Sequence, residues 1–434
     1  MSSAARRSPQ QSTAAFAPLS AANLGAGAIG NLLEWYDFGL YGLLAPVLAP
    51  LFFPAIDPVA ALIGAYGGFA LGFMMRPLGG AVLGHLGDRI GRGYVLVLSV
   101  VMMGLATSAL ALLPTYGQIG DAAPILLLLV RIVQGFSVGG EFTGSVCYLV
   151  ETAPPGRRGF AGSFANLGST GGVLLAAAMA AITVTLADAD SLRWAWRIPF
   201  LFGGLLAAFA FFLRRRFTAR DPAAPEAARA KSPPLERALT SGRREMILAV
   251  VFTSGYGIVN YLTLVFLPTF ANRFGGVGEG GALQINTVAQ ALAFCVVPLA
   301  GWLNDTLLRR RTLLLIAFSG EIAAALPCFY LARFGGLAGL WPAQLLFGAL
   351  LALVMGTAPA MLSELFPRAY RLSGYSVAFN IGIGFAGGTA PLAATALIAA
   401  TGDPMAPAWY LMLGGLVAAG AVYLMRDRSR EKLR

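Results

Sequence analysis

Twelve stretches of the chain are each about as long and apolar as a helix must be to cross the hydrocarbon of a bilayer, which takes about 20 residues. They run at 20–43, 59–83, 93–113, 124–148, 159–186, 194–213, 244–270, 282–303, 312–332, 339–362, 373–400 and 407–425. Only helices and closed barrels satisfy their backbone polar groups in lipid. The expected fold is therefore an all-α polytopic membrane protein with twelve transmembrane helices. Composition agrees: charged residues are 12% of the chain and mean hydropathy is +0.71, against roughly 25% charged in a soluble domain.

The basic residues set the expected orientation, because cytoplasmic loops are enriched in Lys and Arg. With the N-terminus inside, the 31 Lys and Arg fall in cytoplasmic loops or tails, except Arg193, Arg197, Arg273 and Arg333 near the outer face and Arg76 and Arg131 within helices. The net charge of +11 then reflects topology and anionic headgroups, and no nucleic-acid partner is expected. Residues 1–19 are polar and rich in Ser, Ala and Gln and read as a disordered cytoplasmic tail, and 426–434 as a second tail. Cys147, Cys295 and Cys328 lie in helices at unrelated spacings and read as core thiols, with no disulfide framework and no metal site.

The chain divides near its middle. Residues 214–243, with Arg214–Arg216 and a Pro/Ala-rich polar run, read as a cytoplasmic linker between six-helix bundles at 20–213 and 244–425. The halves repeat each other. "GHLGDRIGR" (84–92) after the second helix matches "GWLNDTLLR" (301–309) after the eighth, aligning Gly84 with Gly301, Asp88 with Asp305 and Arg92 with Arg309. "ETAPPGRR" (151–158) and "ELFPRAYR" (364–371) share E-x-x-P-x-x-x-R at nearly the same offset.

Two parallel six-helix repeats are the plan of major facilitator transporters. Gly84, Asp88, Arg89, Gly91 and Arg92 resemble that superfamily's cytoplasmic signature. "GNLLEWYDF" (30–38), "MRPLGG" (75–80), "RIVQGFSVGGE" (131–141) and "WAWRIPF" (194–200) together resemble its metabolite:proton symporter branch, which carries citrate, α-ketoglutarate, shikimate, and proline or betaine. The resemblance implies a cytoplasmic gate of Gly84, Asp88, Arg89, Gly91, Arg92, Glu151, Asp305, Arg309 and Glu364. The second copy departs from the signature: Thr306 and Leu308 stand where Arg and Gly are usual. The fifth helix, "GSFANLGSTGG" (162–172), lacks the Gly-Pro pair of drug:proton antiporters, so uptake is expected rather than efflux.

Four charges fall at two matched depths inside the bilayer, where each costs at least about 2.5–3.5 kcal/mol. At 1.5 Å per residue, Asp37 lies about 26 Å from the inner start of the first helix and Arg131 about 10 Å below the outer face. These levels nearly coincide, so the two can pair. Arg76 and Glu141 share a second level and form the other expected pair. Glu34 is three residues from Asp37 and shares its helix face. The expected mechanism has Asp37, Arg131 and Glu34 couple the proton. Protonating Asp37 breaks its pair and frees the planar guanidinium for a substrate carboxylate.

Further substrate candidates are Arg76, Glu141, Asn166, Tyr256, Asn260, Tyr261, Asn286, Gln290 and Asn380, each of which could equally serve as interhelical glue. Glu321, midway along the ninth helix, has no assigned role, and His85 reads as a solvated bystander. One histidine and three scattered cysteines offer no nucleophile with a base, so no enzyme and no cofactor is expected. The reading is a monomeric proton symporter of the bacterial inner membrane, its ends cytoplasmic. It takes up a small organic acid such as a di- or tricarboxylate, with protons, substrate and the bilayer as its partners. The alternative substrate is a zwitterionic osmolyte such as proline or betaine, and the reading from another class is a substrate sensor with a transporter fold.

Overall fold

The computed structural model describes residues 21–54, 57–90, 92–218 and 239–433. Ten helical spans are long and apolar enough to cross a membrane, and Ala21–Phe52 and Arg92–Leu112 complete the twelve. They are α1 (Ala21–Phe52), α2 (Pro58–Met74 continuing as Arg76–Ile90), α3 (Arg92–Leu112), α4 (Ala122–Ser137 continuing as Glu141–Thr152), α5 (Arg158–Leu186) and α6 (Arg197–Thr218). The second half contains α7 (Arg243–Tyr261, then Leu267–Gly275), α8 (Glu279–Thr306), α9 (Arg310–Phe334), α10 (Gly336–Leu365), α11 (Arg371–Ile381, then Ala390–Thr401) and α12 (Ala406–Leu424). The linker and N-terminal tail expected at 214–243 and 1–19 fall largely outside the described residues.

Local chemistry sets the ends and the breaks. Asp57 caps α2 by accepting the Val59 N–H at 3.0 Å, with Pro58 in the first turn. Gly276 and Gly402 end α7 and α11 in the left-handed region, at φ 66° and 68°. The first helix runs on to Phe52, well past the expected end at 43, through Pro46 and Pro50. Proline is tolerated in a membrane helix when a neighbour satisfies the freed carbonyl. Pro50 has no N–H to give the Pro46 carbonyl, and Arg273 of α7 donates to it instead, at 3.4 Å.

Four helices are interrupted at mid-depth: α2 at Met75, α4 at Val138–Gly140, α7 by a π-turn at Leu262–Phe266 and α11 by one at Gly382–Gly387. Such turns cluster at functional sites because they free carbonyls and re-aim side chains. In α7 the freed Thr263 carbonyl accepts Gln344 Nε2 of α10 at 2.9 Å.

Close backbone approach fixes the helices that carry the charges. Gly168 and Gly172, one turn apart on α5, lie so near the Ala28 and Leu32 backbone of α1 that neither site has room for a Cβ. Gly135 and Gly139 of α4 press in the same way on Gly72 and Gly80 of α2, and this contact holds Arg131 and Arg76 at neighbouring levels.

Cys147 and Cys328 are buried as expected, but Cys295 of α8 is exposed. A cysteine in a membrane span meets lipid without penalty, so apolar sequence alone did not place it inside. Glu321 is fully buried with Phe318, Ala325 and Cys328 on the inner face of α9, and its carboxyl makes no hydrogen bond among the described residues.

Candidate transport site

Asp37 and Arg131 meet in the N-terminal bundle. Arg131 Nη1 lies 3.6 Å from Asp37 Oδ2, both side chains buried. Asp37 Oδ1 accepts Thr107 Oγ1 of α3 at 2.7 Å and Gln134 Nε2 of α4 at 2.9 Å, while Gln134 Oε1 accepts Arg131 Nη1 at 2.8 Å. The guanidinium lies on the rings of Tyr41 (4.2 Å) and Phe38 (4.8 Å). The acid is thus held by hydrogen bonds through one oxygen and by charge through the other.

The second expected pair is corrected. Arg76 pairs with Glu34 of α1, not with Glu141. Its Nε donates to Asn380 Oδ1 of α11 at 3.3 Å, and Asn380 Nδ2 donates to the Gly139 carbonyl at 2.7 Å, so this pair also ties the two halves. The reason lies in the breaks. Equal depth along two straight helices put Arg76 beside Glu141, but α4 is broken at Val138–Gly140. Glu141, beyond the break, instead lines a cavity with Ser99, Met103 and Ala207 of α3 and α6. Removing one partner of a buried pair leaves an uncompensated charge. Glu34→Ala is expected to lower stability by about 3–5 kcal/mol and Glu34→Ala with Arg76→Met to recover most of the loss, read by thermal unfolding in detergent.

Between the halves lies a second cavity of about 20 Å³, room for about one water. Trp35, Phe38 and Gly39 of α1, Ser169 and Thr170 of α5, Asn260 and Tyr261 of α7, Gln290 of α8 and Met355 of α10 help to line it, and no lining residue is charged. Trp35 and Tyr261 stack with centroids 6.5 Å apart. Trp35 Nε1, Asn260 Oδ1, Tyr261 OH and both amide atoms of Gln290 are buried and make no hydrogen bond among the described residues.

The other substrate candidates lie elsewhere. Arg131, Arg76 and Glu141 do not line this cavity. Asn166 Nδ2 donates to the Met355 carbonyl at 2.6 Å, Asn286 Oδ1 accepts Gln344 Nε2 at 2.9 Å, Asn380 is engaged by Arg76 and Gly139, and Tyr256 stacks on Phe252.

Bridges between the halves close both ends. At the face where α6 ends and α7 begins, here the linker face, Arg371 pairs with Glu151, and Glu364 pairs with Arg158 at 3.1 Å and with Arg310. The repeated E-x-x-P-x-x-x-R motifs therefore cross: the acid of each half meets the arginine of the other. Asp305 accepts the Gly159 and Phe160 N–H groups at 2.8 Å each, an anion on the N-terminus of α5, and takes Arg310 at 3.1 Å. The expected partner on that side, Arg309, is exposed, because it precedes the first turn of α9 while Arg310 points inward. Gly84, Asp88 and Arg89 fall in α2 and Arg92 opens α3, but their side chains, and Gly91 entirely, lie outside the described residues. At the opposite face Tyr66 OH donates to Thr269 Oγ1 at 3.0 Å, and Gln284 Nε2 to Thr185 Oγ1 at 3.1 Å.

The C-terminal segment joins the linker-face network. The Glu431 carbonyl accepts Arg158 Nη1 at 3.0 Å, and Asp427 Oδ2 accepts the Arg311 N–H of α9 at 2.9 Å. Burial pushes the Asp427 carboxyl up, but hydrogen bonds from Ser429 and the Arg311 N–H, with the Arg310 charge, outweigh it and hold it below the usual carboxylate range. A lowered acid stabilises its contacts above the ordinary carboxylate pKa and loses them only in stronger acid, so this docking persists at neutral pH.

Residues 27–379 match the Major Facilitator Superfamily. The chain is 32% identical to the "Proline/betaine transporter" of Salmonella typhimurium over 94% of its length and 84% of that protein. It is 31% identical to the "Ectoine/proline transporter ProP" of Corynebacterium glutamicum over 93% and 84%. The "Glycine betaine/proline/ectoine/pipecolic acid transporter OusA" of Dickeya dadantii is also 31% identical, over 94% and 84%. The proton:xylose symporter XylE superposes with a TM-score of 0.75 over 95% of this chain and 97% of its own, at 19% identity, a likeness of fold. Twelve helices in two halves around a central cavity, the crossed motifs and these relatives agree: the chain belongs to the major facilitator superfamily and is a multi-pass membrane transporter, not an enzyme.

Proposed function

We propose that this transporter takes up a small zwitterionic osmolyte of the proline/betaine class together with a proton. The observation that carries the reading is the cavity between the halves, lined by aromatic rings and uncharged polar groups and by no charged residue. A di- or tricarboxylate entering it would bring two or more negative charges into a site with no cation in its lining, an expensive burial. A zwitterion has no net charge, and aromatic faces suit its ammonium end. The transporters named above for proline, betaine and ectoine support the same choice. The organic-acid reading therefore gives way to the osmolyte.

Proton coupling is assigned to Asp37 and Arg131, with Glu34 holding Arg76 beside them. Arg131 does not reach the substrate. It lies on the ring of Phe38, and Phe38 lines the cavity. Protonating Asp37 removes the charge that holds Arg131, and the shift of the guanidinium is passed to Phe38 and so to the cavity. About 20 Å³ is too small for an osmolyte, so the halves must part at one face to admit it. Bridges at both faces make each opening a separate event, as alternating access requires.

In this reading the membrane is the bacterial cytoplasmic one, and the basic linker face is cytoplasmic. Purified protein in liposomes under an inward proton gradient is expected to give inward current on adding proline or glycine betaine and none on adding citrate, α-ketoglutarate or shikimate. Current from an organic acid alone would replace the osmolyte with a carboxylate substrate.

A further inference from the structure

The central cavity holds more hydrogen-bonding capacity than a fully methylated osmolyte can use. Its buried atoms without a hydrogen bond are of both kinds. Trp35 Nε1, Tyr261 OH and Gln290 Nε2 donate; Asn260 Oδ1 and Gln290 Oε1 only accept. The donors come from α1, α7 and α8 around one cavity and offer a carboxylate uncharged partners.

The acceptors decide the other end of the ligand. A trimethylammonium group has no N–H. Bound here, it would leave Asn260 Oδ1 and Gln290 Oε1 dry and unsatisfied, and each buried acceptor without a partner costs about 1–3 kcal/mol. An ammonium that keeps N–H bonds, as in a cyclic imino acid, donates to both acceptors while its ring methylenes lie against Trp35 and Phe38. A site built to hydrogen-bond an N–H discriminates strongly against the analogue that lacks it.

We infer that the cavity formed by Trp35, Asn260, Tyr261 and Gln290 is a site for an N–H-bearing zwitterion, binding its carboxylate through uncharged donors and its ammonium through Asn260 and Gln290, in preference to a quaternary betaine. This rests on the osmolyte reading above and deepens it. Asn260 and Gln290 set the selectivity; Tyr261 serves any carboxylate.

Binding of L-proline and of glycine betaine to the purified full-length protein, followed by calorimetry, tests it. The wild type is expected to bind proline at least about tenfold more tightly than betaine, the worth of one or two hydrogen bonds. Asn260→Leu is expected to bring the ratio of the two affinities close to one, and Gln290→Met carries the same test should that variant fail to fold. Tyr261→Phe keeps the ring and loses the hydroxyl, so it weakens both ligands and leaves their ratio in place. Betaine binding as tightly as proline in the wild type, or an unchanged ratio in Asn260→Leu and Gln290→Met, overturns the inference and leaves the osmolyte reading intact. Binding of neither ligand overturns both.

Discussion

Asp37→Asn is expected to abolish proton-driven accumulation of substrate while leaving substrate exchange across the membrane. The side-chain geometry is nearly preserved: the amide oxygen can still accept Thr107 Oγ1 and Gln134 Nε2, the two bonds that hold Oδ1 at 2.7 and 2.9 Å. What is lost is the charge 3.6 Å from Arg131, and the amide can take no proton in the working range. The variant is a permanent mimic of the protonated carrier. It also leaves a buried guanidinium without its counterion, for which a loss of about 3–5 kcal/mol in stability is expected, softened by the Tyr41 and Phe38 rings. Uphill uptake and counterflow of labelled substrate in the same liposomes separate the roles. Intact uphill uptake in the variant would end the proton assignment, whereas loss of both activities with a normal melting curve would make Asp37 a general requirement of the transport cycle.

The Asp37–Arg131 pairing was legible from depth alone because α1 and the first part of α4 are unbroken between those residues and the membrane faces. The same arithmetic failed for Arg76 and Glu141, since Met75 and Val138–Gly140 interrupt both helices and re-aim the residues beyond them. Nothing in the apolar pattern marks such breaks, and the π-turns at Leu262–Phe266 and Gly382–Gly387 are equally silent. The expected end of α1 at 43 fell short of Phe52, where an arginine from the other half satisfies the carbonyl that Pro50 leaves free. The proposed osmolyte stood in the sequence reading only as the alternative substrate. The weight given to two intramembrane arginines hid it, because only the folded chain shows each committed to an acid outside the cavity.

The E-x-x-P-x-x-x-R repeat was visible in the sequence, but its meaning was not, because the ion pairs run between the copies rather than within them. Glu364 lies buried between Arg158 of the first half and Arg310 of the second. Glu364→Gln leaves those two guanidiniums with Asp305 as the one carboxylate bonded to either among the described residues. Losing the partner of a buried charge costs about 3–5 kcal/mol. Here the cost falls on the closed linker face and is relieved when the halves part and water reaches the arginines. A bias of that size shifts a two-state equilibrium by a hundredfold or more, so the variant is expected to rest open at the linker face. Net uptake should fall by at least about tenfold, because the empty carrier no longer returns. Cys147, buried on α4 one turn from Glu151, reports the change. Its alkylation by a membrane-impermeant maleimide applied at the linker face is expected to be slow in the wild type and fast in Glu364→Gln. The crossed pairing has its own test in Glu151 and Arg371. Reversing either charge alone should speed alkylation, and reversing both together should slow it again. A double reversal as reactive as the single ones would mean that the contact between Glu151 and Arg371 does not hold the face closed.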